Sequence, residues 1–248
     1  MKIAILLPHM DDEVFIIPYL VYLKKQEINE VTFYYLTKSQ GRNNRFDQSV
    51  REAESTRMIN SIFPDAPIEF LGRKFEVEDL FLHEKIDLLF EYLLHELNGK
   101  CDQLVSTHFE GGHIDHDSAG ILSFKLAKSA RMQLLTFNLY SARSNSGSFY
   151  RVAKPIYFSE CDLKISIHRM SYSRILLIPF VFKSQIRTWV GIYPALFWRL
   201  LVRRKLSLNL DPEFNPLQKP NDGKILYENR KDGNFQPWSK EIFRFLDS

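Results

Sequence analysis

A chain of 248 residues that is 45% hydrophobic can bury one substantial core, so a single domain over residues 1–248 is expected. Its 33 basic and 30 acidic residues leave a net charge of +3, which gives no electrostatic footprint for nucleic acid. The two cysteines, Cys101 and Cys161, lie far apart without CxxC spacing, which excludes a disulfide scaffold and suits a reducing compartment.

Lys2–Leu7 reads as a buried strand, apolar after Lys2 and β-branched at Ile3 and Ile5. That run is too short for a signal-peptide core and leads directly into PHMDDE (Pro8–Glu13), so a cytoplasmic protein is expected. A helix follows over Pro18–Lys25, opened by a proline that a first helical position tolerates. Val31–Leu36 is a second strand; Gly41 and Arg42 after it reach the same sheet edge, where Arg42 could contact a sugar or phosphate or serve as a solvated turn residue. Next come a helix over Gln48–Phe63, a short strand Ile68–Leu71, and a helix over His83–Leu97, with Ile86, Leu89, Phe90, Leu93 and Leu97 at helical spacing. Gln103–Thr107 is a fourth strand, and a fourth helix follows His116 with Ala119, Leu122 and Leu126 on one face. Strands alternating with helices predict an α/β fold, a Rossmann-like, mostly parallel sheet with helices on both faces.

After Tyr140 the pattern changes. Ser141–Ser148 is a loop by composition, with short β-like runs at Tyr150–Phe158 and Leu163–Ile167. The chain then becomes aromatic and basic, and from Asp211 to Asp222 it is rich in proline and asparagine. Residues from about 141 to 248 are expected to elaborate the core of residues 1–140 and to frame a pocket. The longest apolar runs, Ile175–Phe182 and Val190–Trp198, are each interrupted by proline and fall short of the roughly eighteen residues of a membrane span.

In an open parallel sheet, ligands bind beyond the carboxyl ends of the strands. PHMDDE begins where the first strand ends. His9 and Asp12 are three residues apart, so a turn can aim both at one point, and imidazole nitrogen with carboxylate oxygen is an ordinary zinc donor pair. Asp11 between them is left to face a metal-bound water. The competing reading is that Asp11, Asp12 and Glu13 only cap a helix N-terminus. A second cluster, STHFEGGHIDHDSAG (Ser106–Gly120), follows the fourth strand to the same edge and carries His108, His113 and His116. A catalytic zinc needs three protein ligands and one open position; His9, Asp12 and one of these histidines meet that count. Asp115 is placed to orient an imidazole or to cap the helix. His108 could touch substrate or bond to backbone at the strand end. His83, His95 and His168 stand apart from both clusters, and Ser39, Ser106 and Cys101 lack a histidine–acid pair for nucleophilic catalysis.

PHMDDE resembles the AHPDDE motif, and GGHIDH the later HPDH motif, of the LmbE/PIG-L family of zinc-dependent N-acetylglucosaminyl deacetylases. Arg51-x-x-Glu54 and IEFLG (Ile68–Gly72) match between them, and KSQIR (Lys183–Arg187) and LYENR (Leu226–Arg230) look like tails of members that act in surface-polysaccharide pathways. The resemblance implies one Zn2+ on His9, Asp12 and His116, with Asp11 as general base and His113 assisting charge development or protonating the leaving amine. It also implies supporting roles for Glu13 and Asp115, an Arg51 contact to the sugar, and a free or carrier-linked amino-sugar substrate. Met10 departs from the usual proline, and Gly111 stands where some members carry a tyrosine near the oxyanion. The rivals are a metal-dependent deacylase of another amide or ester and a catalytically silent sugar-binding relative.

WVGIYPALFWRLLVRRK (Trp189–Lys205) stands outside these motifs. It reads either as a helix packed on the sheet, with Gly191 and Pro194 breaking its regularity, or as a weak peripheral membrane contact with aromatics at the headgroup level and cations toward anionic lipid. The second reading would bring the site to a lipid-linked sugar.

Overall fold

The structure, a computed structural model, describes residues 1–41, 45–141, 151–152, 163–213, 215, 218–220 and 225–248. In chain order the core contains β1 (Ile3–Leu7), α1 (Ile17–Lys25), β2 (Val31–Tyr35), α2 (Gln48–Asn60), β3 (Ile68–Phe70), the single turn α3 (Leu71–Lys74), α4 (Ile86–Leu97), β4 (Gln103–Thr107), α5 (Ile114–Ala130) and β5 (Gln133–Phe137). The remainder adds β6 (Tyr140–Ser141), β7 (Arg151–Val152), β8 (Leu163–Ser166), α6 (Arg169–Val181), α7 (Ile186–Arg203), β9 (Lys205–Leu210), α8 (Leu226–Arg230) and α9 (Phe235–Asp247).

One sheet runs in the order β3-β2-β1-β4-β5-β9-β8. The pairs from β3 to β5 are parallel, whereas β9 is antiparallel to β5 and β8 antiparallel to β9. The expected sheet is therefore present, widened on one edge by strands from the C-terminal part. The alternation within β1 shows why helices cover both faces. Ile3, Ile5 and Leu7 join one apolar cluster with Leu20 of α1, Ile59 of α2, Ile175 of α6 and Leu196 of α7. Ala4 and Leu6 join another with Leu89 of α4, Leu122 of α5 and Trp238 of α9.

The proline-interrupted runs are helical: Pro179 lies inside α6 and Pro194 inside α7. An interior proline costs a helix about 3 kcal/mol. Ile175, Ile178, Trp189, Ile192, Leu196 and Leu200 are all buried, and each such side chain contributes about 1.5–3 kcal/mol, so tertiary packing outweighs the break. The loop at Ser141–Ser148 and the run at Tyr150–Phe158 fall outside the described residues except at Ser141, Arg151 and Val152.

Candidate active site

The chain leaves β1 toward β2 and β3 on one side and returns to β4 on the other, so β1 and β4 flank the switch point where open α/β sheets bind ligands. PHMDDE extends from β1, and the histidine-rich loop extends from β4, its parallel neighbour.

The first loop turns sharply at Asp11, whose φ of 112° is left-handed, a conformation that costs a non-glycine residue about 1–3 kcal/mol. Several groups hold it there. Glu13 Oε2 accepts the Asp11 N–H at 3.0 Å, Asp12 Oδ2 accepts the His9 N–H at 2.8 Å, and Ser39 Oγ accepts the Met10 N–H at 2.8 Å. Arg51 donates to the carbonyls of Ser39 and Met10 and to Asp11 Oδ1 at 3.2 Å. Asp11 precedes a 3₁₀ turn (Asp12–Ile16) but makes no side-chain cap bond to it, so capping does not account for the acidic triplet.

The second loop closes by other means. Gly111 has φ +72°, and a Cβ on Gly112 would lie 1.9 Å from the Tyr140 carbonyl oxygen, so only glycine fits. Asp117 Oδ1 accepts the Glu110 and Gly111 N–H groups, each at 3.0 Å. His113 caps α5, its Nδ1 accepting the Asp115 N–H at 3.2 Å. Thr107 Oγ1 donates to the His116 carbonyl at 2.7 Å.

Together the loops bring His9, Asp12, His113 and His116 to one point. His9 Nδ1 lies 3.1 Å from His116 Nε2. The Asp12 carboxylate stands 3.4 Å from the first and 3.3 Å from the second. Nitrogens of His9, His113 and His116 also lie within 4.8 Å of one another. Two imidazole nitrogens and a carboxylate converging in a largely buried spot suit a metal ion, since these are ordinary zinc donors. Buried His116 Nδ1 has no hydrogen-bond partner among the described residues, so no second bond ties that ring to a different orientation.

Asp115 supports this centre from behind. Its Oδ2 is 3.0 Å from His9 Nε2, leaving Nδ1 to face the centre, and its carboxylate also accepts the N–H groups of Leu80 at 2.7 Å and Leu82 at 3.2 Å. Burial opposes ionisation of Asp115, but the His9 bond wins and holds its carboxyl down at about 2. Burial likewise disfavours a charged His9, yet Asp115 and Asp12 outweigh it and hold the ring well above its ordinary value. His9 and His116 hold Asp12 down against burial. Asp11 goes the other way: burial pushes its carboxyl up to about 8, with Arg51 pulling down and Asp12 and Glu13 pushing up. Burial also lifts Glu13, to about 7. His113 is driven well below the ordinary histidine value by burial and by the charge of His9. Because Asp115 fixes a ring orientation, Asp115→Asn is expected to weaken metal binding by about 10–100-fold, measured by competition with a chelator; unchanged affinity would remove Asp115 from the centre's support.

His9, Asp11, Asp12, His113 and His116 line a cavity of about 180 Å³ with Arg51, Asp79, Tyr140, Gln185, Trp189 and Ile192. That is smaller than the about 300–1,000 Å³ of drug-sized ligand pockets, so it accepts a small group. Arg51 is at the cavity wall, where a sugar contact was expected, and its Nη atoms brace the first loop at Met10 and Asp11 and the loop after β2 at Ser39. His108 is not in this cavity: its Nδ1 pairs with Thr136 Oγ1 at 2.8 Å, and it lines a neighbouring cavity with Asn209 and Lys219. Arg42 lies outside the described residues.

The motif echoes acquire physical meaning here. Glu54 accepts the Ser184 N–H at 2.9 Å and its hydroxyl at 2.6 Å, tying Arg51-x-x-Glu54 to KSQIR and setting Gln185 and Trp189 at the cavity wall. In LYENR, the Leu226 N–H reaches the Gly111 carbonyl at 2.8 Å. Tyr140, Asp79 and Asp117 were not anticipated. Asp117 had a local signal, a carboxylate one residue after His116, whereas Tyr140, on the two-residue β6, and Asp79 belong to no motif. The Tyr140 ring stands 5.3 Å from that of His116, and burial keeps its phenol protonated.

No family model and no curated protein matches the chain by sequence. Among solved structures it resembles the A40926 pseudoaglycone deacetylase Dbv21 at 13% identity, over 84% of this chain and 95% of that one, with a TM-score of 0.61. The zinc inhibited form of teicoplanin deacetylase Orf2 is 12% identical over 85% and 98% of the two chains, with a TM-score of 0.63. N,N'-diacetylchitobiose deacetylase from Pyrococcus horikoshii is 16% identical over 84% and 83%, with a TM-score of 0.56. The chain therefore has the fold of LmbE/PIG-L-type deacetylases, with its two motif loops meeting at that fold's switch point.

Proposed function

We propose that the protein is a zinc-dependent hydrolase that removes acetyl from the acetamide of an N-acetylated amino sugar, releasing acetate. The observation that carries this reading is the convergence of His9, Asp12 and His116, with Asp11 held beside them in a strained backbone conformation. The donor set suits zinc; bound by these three residues, the ion would polarise the acetyl carbonyl and acidify a water. Asp11 is the general base. Burial raises its carboxyl to about 8, a bound cation would favour the ionised, proton-accepting form, and Arg51 and Glu13 fix where it points. His113, whose ring stands 4.7 Å from that of His9 and 5.0 Å from that of His116, delivers a proton to the departing nitrogen. Its ring is neutral at rest, so it must be loaded with that proton within the turnover.

Tyr140 supplies what the glycine at position 111 cannot. A protonated phenol beside His116 is suited to donate to the developing oxyanion, and loss of one such donor costs about 10²–10³-fold. Tyr140→Phe should therefore lower kcat by about 10²-fold with little change in KM; a change confined to KM would make Tyr140 a substrate-binding residue only. The reading as a whole is tested by following acetate release from free, nucleotide-linked and lipid-linked N-acetyl sugars. Activity should disappear with a chelator and return with zinc. Failure of the zinc-loaded protein to release acetate from any of them would overturn it.

A further inference from the structure

The helix pair α6 and α7 has two different sides. Inward, Ile175, Ile178, Leu196 and Leu200 pack on the core, and Gln185, Trp189 and Ile192 form a wall of the active-site cavity. Outward, Leu176, Leu177, Phe180, Val190, Trp198 and Val202 are between 51% and 70% exposed. Leu176 with Phe180 and Trp198 with Val202 are i,i+4 pairs, each presenting one apolar stripe, and such concentration on one element marks a docking surface.

Charge identifies the partner. Leu163–Leu210 holds nine of the chain's 33 Lys and Arg residues and none of its 30 Asp and Glu, so the rest of the molecule is net acidic. Lys183 and Arg187, between the apolar stripes of the two helices, are exposed, as are Arg169 before them and Arg204 and Lys205 after them. Exposed aliphatics and an exposed tryptophan flanked by cations, with no acid among them, match the interface of an anionic bilayer. Among the described residues no single helix is long and apolar enough to cross a membrane, and the two helices are bent 72° to one another, which suits lying along a surface. We infer that the outer face of α6 and α7 docks on an anionic lipid surface. The cavity, on the opposite side of α7, is then held about one helix diameter, ~10 Å, from the headgroups.

Co-sedimentation with vesicles of phosphatidylcholine alone, and of phosphatidylcholine with phosphatidylglycerol, tests this without reference to catalysis. The full chain should bind the anionic vesicles and release as salt rises. Its tryptophan emission should shift to the blue, because Trp198 is 67% exposed while Trp189 and Trp238 are 2% and 1% exposed. Lys183→Gln with Arg187→Gln should weaken binding by about 5-fold per charge removed. Phe180→Ser with Val190→Ser should weaken it further while leaving far-UV circular dichroism unchanged. No binding at low salt, or binding indifferent to both double variants, would overturn the inference. So would a dimer disrupted by Phe180→Ser without any vesicle binding, since a second copy of the chain would then cover the face.

Discussion

Asp11→Asn is expected to slow acetamide hydrolysis by about 10²–10⁴-fold while the bound metal stays. The substitution keeps the size and polarity of the side chain, and the amide oxygen can still accept from Arg51, so the left-handed turn at Asp11 keeps its bracing. Only the ability to take a proton is lost. Steady-state rates and metal content measured on one preparation check both halves of the expectation. Near-normal turnover would remove Asp11 from the mechanism, and loss of metal alongside activity would make it a ligand. Glu13 sharpens the comparison: it supports Asp11 through the backbone N–H, so Glu13→Gln should cost less than Asp11→Asn.

His116→Ala is expected to reduce metal affinity by more than about 100-fold, because loss of a ligand exceeds the 10–100-fold typical of a supporting residue. His116 is 1% exposed and within hydrogen-bonding reach of His9, so its removal opens one side of the centre. His9→Ala and Asp12→Ala should behave alike. His113→Ala is the discriminating variant, since the three histidines offer nitrogens within 4.8 Å of one another and could form a ligand set without Asp12. With Asp12 as the third ligand, His113→Ala keeps its metal and loses rate; with His113 as the ligand, it loses metal. Elemental analysis, and the rise in melting temperature on adding zinc, read the two outcomes apart. Full occupancy in His9→Ala, Asp12→Ala and His116→Ala together would overturn the centre.

The sequence by itself determined the parallel core and the place of the site. Strand periods at β1, β2 and β4 are local facts, and carboxylates or histidines that follow such strands reach the sheet's binding edge whatever the rest of the chain does. Motif spacing singled out His9 and Asp12, a few residues beyond β1, and left the third ligand open among the histidines after β4; only the family resemblance pointed to His116. Tertiary structure decided what depends on distant partners. Glu54 meets Ser184 across 130 residues, and Asp115 bonds both His9 and the backbone of Leu80, contacts that no local pattern records. The same holds for Arg51, whose partners Met10 and Ser39 come from two separate loops and draw it into bracing. Prolines at 179 and 194 read locally as breaks, yet α6 and α7 run through them because the buried faces of those helices outweigh the lost hydrogen bonds. Burial, a property of the whole fold, likewise separates the carboxyls of Asp11 and Asp12, raising one and, with two histidines beside it, leaving the other low.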